Sequence, residues 1–198
     1  LDYTPRCVWV ADQRGKVTNV PIARTPNWKV SDPEDVMSEW WKLQQPQWWE
    51  QAKHQVKVGN RLMHRGTDAK HLTKSADYYV GAKIWSEWGI VMGTPFPSLV
   101  EGYDPGRKAV AYQGMWFGAS GRSITNNRYF LEDKPHYLDS AGEHWFEKKG
   151  AAGRLFIRLP GDADPNRARV EVAKRYSIIE DVCSAKAPNR LDVLGARA

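Results

Sequence analysis

The sequence predicts a mainly β domain, an antiparallel sandwich or barrel-like fold with a short helical insertion over residues 33–58. Three observations carry this. Near the C-terminal end Leu155, Ile157 and Leu159 alternate with Phe156, Arg158 and Pro160, the period-2 pattern of a strand with one aliphatic face. Turn signals such as Asp104-Pro105-Gly106-Arg107 recur at short spacing between apolar runs. From Ser31 the period changes, and Val36, Met37, Trp40 and Trp41 follow helical spacing instead.

In chain order, residues 7–10 read as a strand ended by Asp12-Gln13-Arg14-Gly15, and 16–22 as its hairpin partner. Pro26 forces an extended Thr25, and Trp28 pins an irregular segment. Ser31 or Asp32 then caps a helix that opens with Pro33, Glu34 and Asp35. Pro46 starts a second helix, giving a hairpin that carries Trp40, Trp41, Trp48 and Trp49. Residues 59–75 read as a long polar loop, and 77–88, 99–103, 108–117 and 169–174 as strands. Residues 126–132 read as a strand or short helix, and 177–182 as a last strand. Tyr137 to Pro160 is a hairpin with a Gly-rich connection longer than a tight turn. The sum is roughly seven to ten strands in a single domain spanning 1–198.

Composition narrows the function classes. A chain of 198 residues buries a real core without staples. A net charge of +6 allows a polyanionic partner, but Lys and Arg are scattered rather than gathered in a stripe, which argues against nucleic acid. An acidic or sulfated glycan would be served equally well by such scattered cations. No apolar run reaches the ~18 residues of a membrane span. Leu1 in place of Met suggests a processed or excised piece. Cys7 and Cys183 lie near opposite ends and form no C-x-x-C pair. They are either two buried free thiols or a disulfide tying the termini, worth ~4–5 kcal/mol in the chain-entropy model.

Reactive motifs are scarce. Gly118-Ala119-Ser120-Gly121 lacks nucleophile-elbow spacing, neither G-x-G-x-x-G nor a P-loop occurs, and the five His form no H-E-x-x-H, so no cofactor or metal is expected. Asp162, Asp164 and Asn166 imitate the start of a calcium loop, but Arg167 stands where Gly is required; a turn set by Pro165 is the plainer reading. Asp139 and Glu143 offer the paired carboxylates of glycoside hydrolysis, yet they serve better as turn-builders bonded to backbone amides, and no catalytic residue is assigned.

The 10 Trp carry the most chemistry, because an indole face stacks on the C–H face of a sugar. Trp28, Trp85 and Trp145 sit in patterned or pinned segments and read as structural. Trp40-Trp41 and Trp48-Trp49 are adjacent pairs, and helix neighbours point about 100° apart, so both members of a pair are not buried together. Trp88 and Trp116 flank Gly-bearing loops. These six are the candidates for carbohydrate recognition, with packing against a neighbouring domain as the alternative.

Several segments together resemble a known arrangement. They are Ala23-Arg24-Thr25-Pro26-Asn27-Trp28, Tyr79-Val80-Gly81-Ala82-Lys83-Ile84-Trp85 and Asn127-Arg128-Tyr129-Phe130-Leu131-Glu132. With them go Leu138-Asp139-Ser140-Ala141-Gly142-Glu143-His144-Trp145, Gly153-Arg154-Leu155-Phe156-Ile157 and Asp164-Pro165-Asn166. Residues 23–175 thereby resemble a β-sandwich-like domain inserted in bacterial secreted, right-handed parallel β-helix proteins that act on carbohydrate as glycoside hydrolases or polysaccharide lyases. His144 departs from the pattern by standing between Gly142-Glu143 and the aromatic. The resemblance implies an accessory domain that binds polysaccharide or oligosaccharide, or braces the rest of the β-helix chain, without cleaving by itself. It also implies a secreted, periplasmic or cell-surface location and close termini, which would suit a Cys7–Cys183 bridge. A contribution to the parent's active site is the remaining alternative.

Overall fold

A computed structural model describes residues 5, 7–12, 14–44, 55–87, 95–113 and 128–173. The chain is mainly β, as the alternation predicts. Its elements are β1 (Val8–Ala11), β2 (Val17–Val20), β3 (Arg24–Thr25), β4 (Trp41–Lys42), β5 (Gln55–Val58), β6 (Arg61–Thr67), α1 (Ala76–Tyr79), β7 (Lys83–Glu87), β8 (Pro95–Asp104), β9 (Ala109–Tyr112), β10 (Arg128–Glu132), β11 (Glu143–Lys149), β12 (Ala152–Arg158) and β13 (Arg169–Val172). All strand ladders are antiparallel: a sheet ordered β13-β1-β2, a large sheet ordered β3-β10-β7-β8-β9-β6-β5 with β4 also on β10, and the hairpin β11-β12. The described strands close no barrel.

The β1–β2 hairpin forms where the turn residues predict it. Asp12 Oδ1 accepts the N–H groups of Arg14 and Lys16 at 2.8 and 2.9 Å, and Gly15 supplies the left-handed φ of 79°. The Asp104 turn likewise closes through its own carboxylate, which accepts the Arg107 N–H at 3.0 Å. β8 organises the large sheet. Its first half pairs with β7 (Lys83↔Leu99) and its second half with β9 (Asp104↔Ala109), and the register shifts between Val100 and Gly102. The strand bends there and passes from one half of the sheet to the other.

The insertion is less helical than predicted. Backbone bonds Asp35 N–H to Asp32 O, Ser38 to Asp35 and Trp40 to Met37 wind the chain by successive turns. Trp41–Lys42 and Gln55–Val58 are strands, and 45–54 lie outside the described residues. The cause is local. Asp32 Oδ1 accepts the Glu34 N–H as a cap would, but Asp35 Oδ1 then takes the Met37 N–H, an amide that a continuing helix would give to a backbone carbonyl. Two other segments differ. The polar stretch 59–75 contains β6, and α1 precedes β7 where one continuous strand was expected. The predicted strand at 177–182 lies outside the described residues.

The core is rich in tyrosine. Leu72, Tyr79, Ile84, Val100, Tyr129 and Leu131 are fully buried in one cluster. A buried tyrosine hydroxyl needs a partner, and three of them show how it is found. Tyr79 donates to the His71 carbonyl (3.2 Å), Tyr129 to Asp68 Oδ2 (2.9 Å) and Tyr137 to the Tyr78 carbonyl (2.8 Å).

The C-terminal hairpin turns on Gly150-Ala151, tighter than predicted because the ladder runs on to Lys149↔Ala152. It docks by Ala23 N–H to His144 O (2.6 Å) and His144 N–H to Pro21 O (2.9 Å). Across it, the Phe146 ring covers Gly153. A Cβ there would strike that ring and stand 2.6 Å from the Glu147 carbonyl oxygen, which is backbone and cannot step aside. Gly153→Ala is therefore expected to cost about 1–3 kcal/mol, read as a fall in melting temperature. An unchanged melting temperature would show that the hairpin yields freely.

Candidate functional site

Register and alternation place two unlike faces on β10 and β7. Ile84, Ser86, Tyr129 and Leu131 point to the tyrosine-rich core. The opposite face carries Lys83, Trp85 and Glu87 on β7 against Glu132, Phe130 and Arg128 on β10, with Arg24 of β3 opposite Glu132 and Leu99 of β8 opposite Lys83. This second face is charged, yet it is covered. Arg24, Glu87, Arg128 and Glu132 are all buried.

Burial on that scale requires pairing. Arg128 grips Glu87 with both sides of its fork, Nε to Oε2 and Nη2 to Oε1 at 2.8 Å each, and its Nη1 reaches both Asp35 oxygens at 2.6 Å. The Glu87 hydrogen bond, foremost, raises the Arg128 pKa, and the bond from Arg128 lowers that of Asp35. Arg24 is held differently. Its Nε donates to the Pro26 carbonyl at 2.9 Å, and its guanidinium lies 3.6 Å from the Phe130 ring centre, 5.0 Å from Trp28 and 5.4 Å from Trp40. Burial pulls its pKa down to about 10 against the opposing pull of Glu132 and Glu143.

Where this face meets the β1–β2 sheet and the C-terminal hairpin, a cleft of about 640 Å³ opens. Lys83, Trp85, Leu99, Glu132 and Asp133 line its sheet side, and Ile22, His144 and Phe146 face them. The Lys83 ammonium is 2.6 Å from Asp133 Oδ2. The Glu132 pKa is raised by burial, and the Trp85 indole and Lys83 partly offset this. The Trp85 N–H is nonetheless buried without a well-formed hydrogen bond. His144 Nδ1 bonds to the Val20 carbonyl at 2.8 Å, and burial lowers its pKa, so the ring is held neutral with its proton on Nδ1. Apolar walls, one indole and a few converging polar groups meet in this cleft, the kind of lining from which ligand sites are built.

No family model matches the chain, and neither does a curated protein or a solved structure. The site therefore stands on its own geometry.

Of the predicted recognition residues, the two that are described, Trp40 and Trp41, do not line this cleft. Trp40 is 8% exposed, edge-on to Phe130 at 4.6 Å and beside Arg24, which leaves it no face for a sugar. Trp41 is half-buried on the other face of the sheet, parallel to the His71 ring at 4.4 Å and edge-on to Tyr129. Trp48, Trp49, Trp88 and Trp116 lie outside the described residues. Cys7 is exposed rather than buried, and Cys183 lies outside the described residues. Trp28 is 52% exposed, its ring resting on Arg24, while Trp85, read as structural, lines the cleft. The missed signal was the alternation of Lys83, Trp85 and Glu87 matched by Arg128, Phe130 and Glu132.

Two further constellations are structural. Asp68 Oδ2 accepts from His71 Nδ1 (2.8 Å) and the Tyr129 hydroxyl, while its Oδ1 accepts the N–H groups of Lys70 and His71. That is an Asp–His pair, but it anchors the turn after β6, and among the described residues no nucleophile bonds the other ring nitrogen. Asp164 Oδ1 accepts both the backbone and side-chain N–H of Asn166 at 2.9 Å, so the calcium-loop imitation is a turn. Among the described residues no three metal-ligating side chains converge, and no helix is long and apolar enough to cross a membrane.

Glu143 departs from its expected role as a turn-builder. It is 3% exposed and both carboxylate oxygens lack a hydrogen-bond partner; the amides of Arg24 and Ser140 approach without closing a bond. Burial, with repulsion from Asp139, lifts its pKa to about 7.

Proposed function

We propose that this chain is a glycan-recognition module, non-catalytic by itself, of a secreted protein that acts on polysaccharide, and that the cleft over Trp85 receives a sugar residue. The observation that supports this most is the meeting of one indole, an unmatched indole N–H and the Lys83–Asp133–Glu132 group in a space of about 640 Å³. A pyranose offers that site a C–H face for the ring and hydroxyls for the carboxylates. Among the described residues the two carboxylates of the cleft are sequence neighbours, Glu132 and Asp133, not two groups facing each other across a bond to be cut, so the arrangement suits holding better than hydrolysis.

Affinity electrophoresis and tryptophan fluorescence against a panel of plant and algal polysaccharides test the reading. At least one glycan is expected to retard the chain and quench its emission, and Trp85→Ala is expected to weaken that binding at least tenfold while the exposed-ring variant Trp28→Ala leaves it unchanged. Binding lost in Trp28→Ala but kept in Trp85→Ala would move the site to the other face of Arg24. Silence across the panel would favour the second reading, a bracing role for a β-helix parent. The exposed Phe156, stacked at 5.6 Å on the partly buried Trp145, supports that reading.

A further inference from the structure

We propose that the cleft over Trp85 selects uncharged sugar residues and excludes uronates and sulfated sugars, although the chain as a whole is strongly cationic. The proposal rests on the glycan reading above and adds the substrate class. Among the described residues the lining holds one cation, Lys83, against two carboxylates, Glu132 and Asp133. Lys83 is already engaged, its Nζ 2.6 Å from Asp133 Oδ2. Asp133 is fixed in place by its backbone, with φ of 73° and its N–H bonded to the Ala23 carbonyl at 3.1 Å, so the ion pair is set by the chain path rather than by a wandering side chain.

The other positive or protonatable groups nearby are spoken for. Arg24, on the neighbouring strand, directs its Nε to Pro26 and lies against Phe130. His144, from the facing hairpin, gives its Nδ1 proton to Val20, and burial keeps the ring uncharged. Whether Glu132 is ionised or protonated, no unengaged cation among the described residues faces the cleft. A sugar carboxylate entering here would shed its hydration and meet like charge. A neutral hexose or pentose meets carboxylate oxygens that accept from its hydroxyls, and a donor in Lys83. The net charge of +6 sits elsewhere and steers without selecting.

The test uses hexasaccharides of equal length at physiological salt: gluco-, xylo- and manno-oligosaccharides against oligogalacturonate and oligomannuronate. At least one neutral oligomer is expected to bind, with every uronate at least tenfold weaker. Asp133→Asn should free Lys83 and raise uronate affinity about tenfold. Asn tolerates the left-handed backbone nearly as well as Asp, so the fold should persist, and an unchanged melting temperature checks this. Glu132→Gln, which removes the second carboxylate, should raise uronate affinity as well, and keeps the test decisive if Asp133→Asn fails to fold. A wild-type chain that binds uronates as tightly as neutral oligomers overturns the selectivity and leaves the glycan reading standing. A chain that binds neither overturns both.

Discussion

Arg128→Met is expected to lower the stability of the fold by about 3–5 kcal/mol, the usual cost of stranding a buried charge. Glu87 is 4% exposed and spends both oxygens on Arg128, so the substitution leaves a carboxylate in the sheet interior with only the Arg128 backbone N–H at 3.0 Å. The two acidic partners of Arg128 should behave very differently. The Asp35 side chain is 43% exposed, and Asp35→Asn should cost under about 1 kcal/mol because water takes over what the ion pair supplied. Removing both buried partners together, as Arg128→Met with Glu87→Met, should recover most of the loss, since neither charge is then stranded. Urea unfolding of wild type and the three variants reads this directly. Equal losses for Arg128→Met and Asp35→Asn would show that Glu87 finds water in the variant.

The second large effect concerns pH. With a folded pKa of about 7 and an ordinary carboxylate value in the unfolded chain, Glu143 keeps its proton in the native state where the unfolded state has lost it. The native state binds more protons over that interval, so the contribution of this group to stability is fully present below about pH 4.5 and is lost as pH rises through about 7. The swing is on the order of 3 kcal/mol at 1.36 kcal/mol per unit. His144 works in the opposite sense. Its folded pKa is depressed, so acidification protonates the unfolded chain first and destabilises the fold as pH drops below the ordinary imidazole range. Wild type should therefore show a compressed profile, and Glu143→Gln should make the His144 limb more prominent, opposed only by the smaller share of Glu132, with stability above pH 7 exceeding that of wild type. Melting temperature from pH 4 to 8 for both proteins measures it. Parallel curves would mean that the Glu143 carboxyl is hydrated in solution.

What the sequence disclosed and what it withheld follow from how local each signal is. The Asp12 and Asp104 turns and the Leu155–Ile157 strand are written within a few residues, and each forms where it is written. The insertion misled because Asp32 and Asp35 read equally well as helix-starting acids and as side chains that capture amides; only tertiary context, with Arg128 drawing Asp35 inward, decides between them. The tryptophans misled for a related reason. On a helix Trp40 and Trp41 diverge by a fraction of a turn, whereas on the extended chain they point to opposite faces of the sheet, one to Phe130 and the other to Tyr129. The cleft was hidden because charged residues at period 2 ordinarily mark a solvated face. Here that face is roofed by segments from both ends of the described chain, a pairing that no window of sequence contains.

The bend in β8 has a meaning for anyone who would cut or rewire this protein. Residues 95–99 close one half of the large sheet and 100–104 the other, so a single strand is the shared seam of both. The halves are not severable pieces: a nick near Val100 leaves β7 and β9 each paired with its own half of β8, but opens the β6–β9 and β7–β10 ladders that join the two fragments. New chain ends belong instead at the exposed Gly150-Ala151 tip, where opening the loop interrupts no ladder but its own. The seam also sets the rule for a split reporter built on this fold. Two fragments divided at β8 should stay dark apart and recover together, because β6 pairs with β9 and β7 with β10 across the cut.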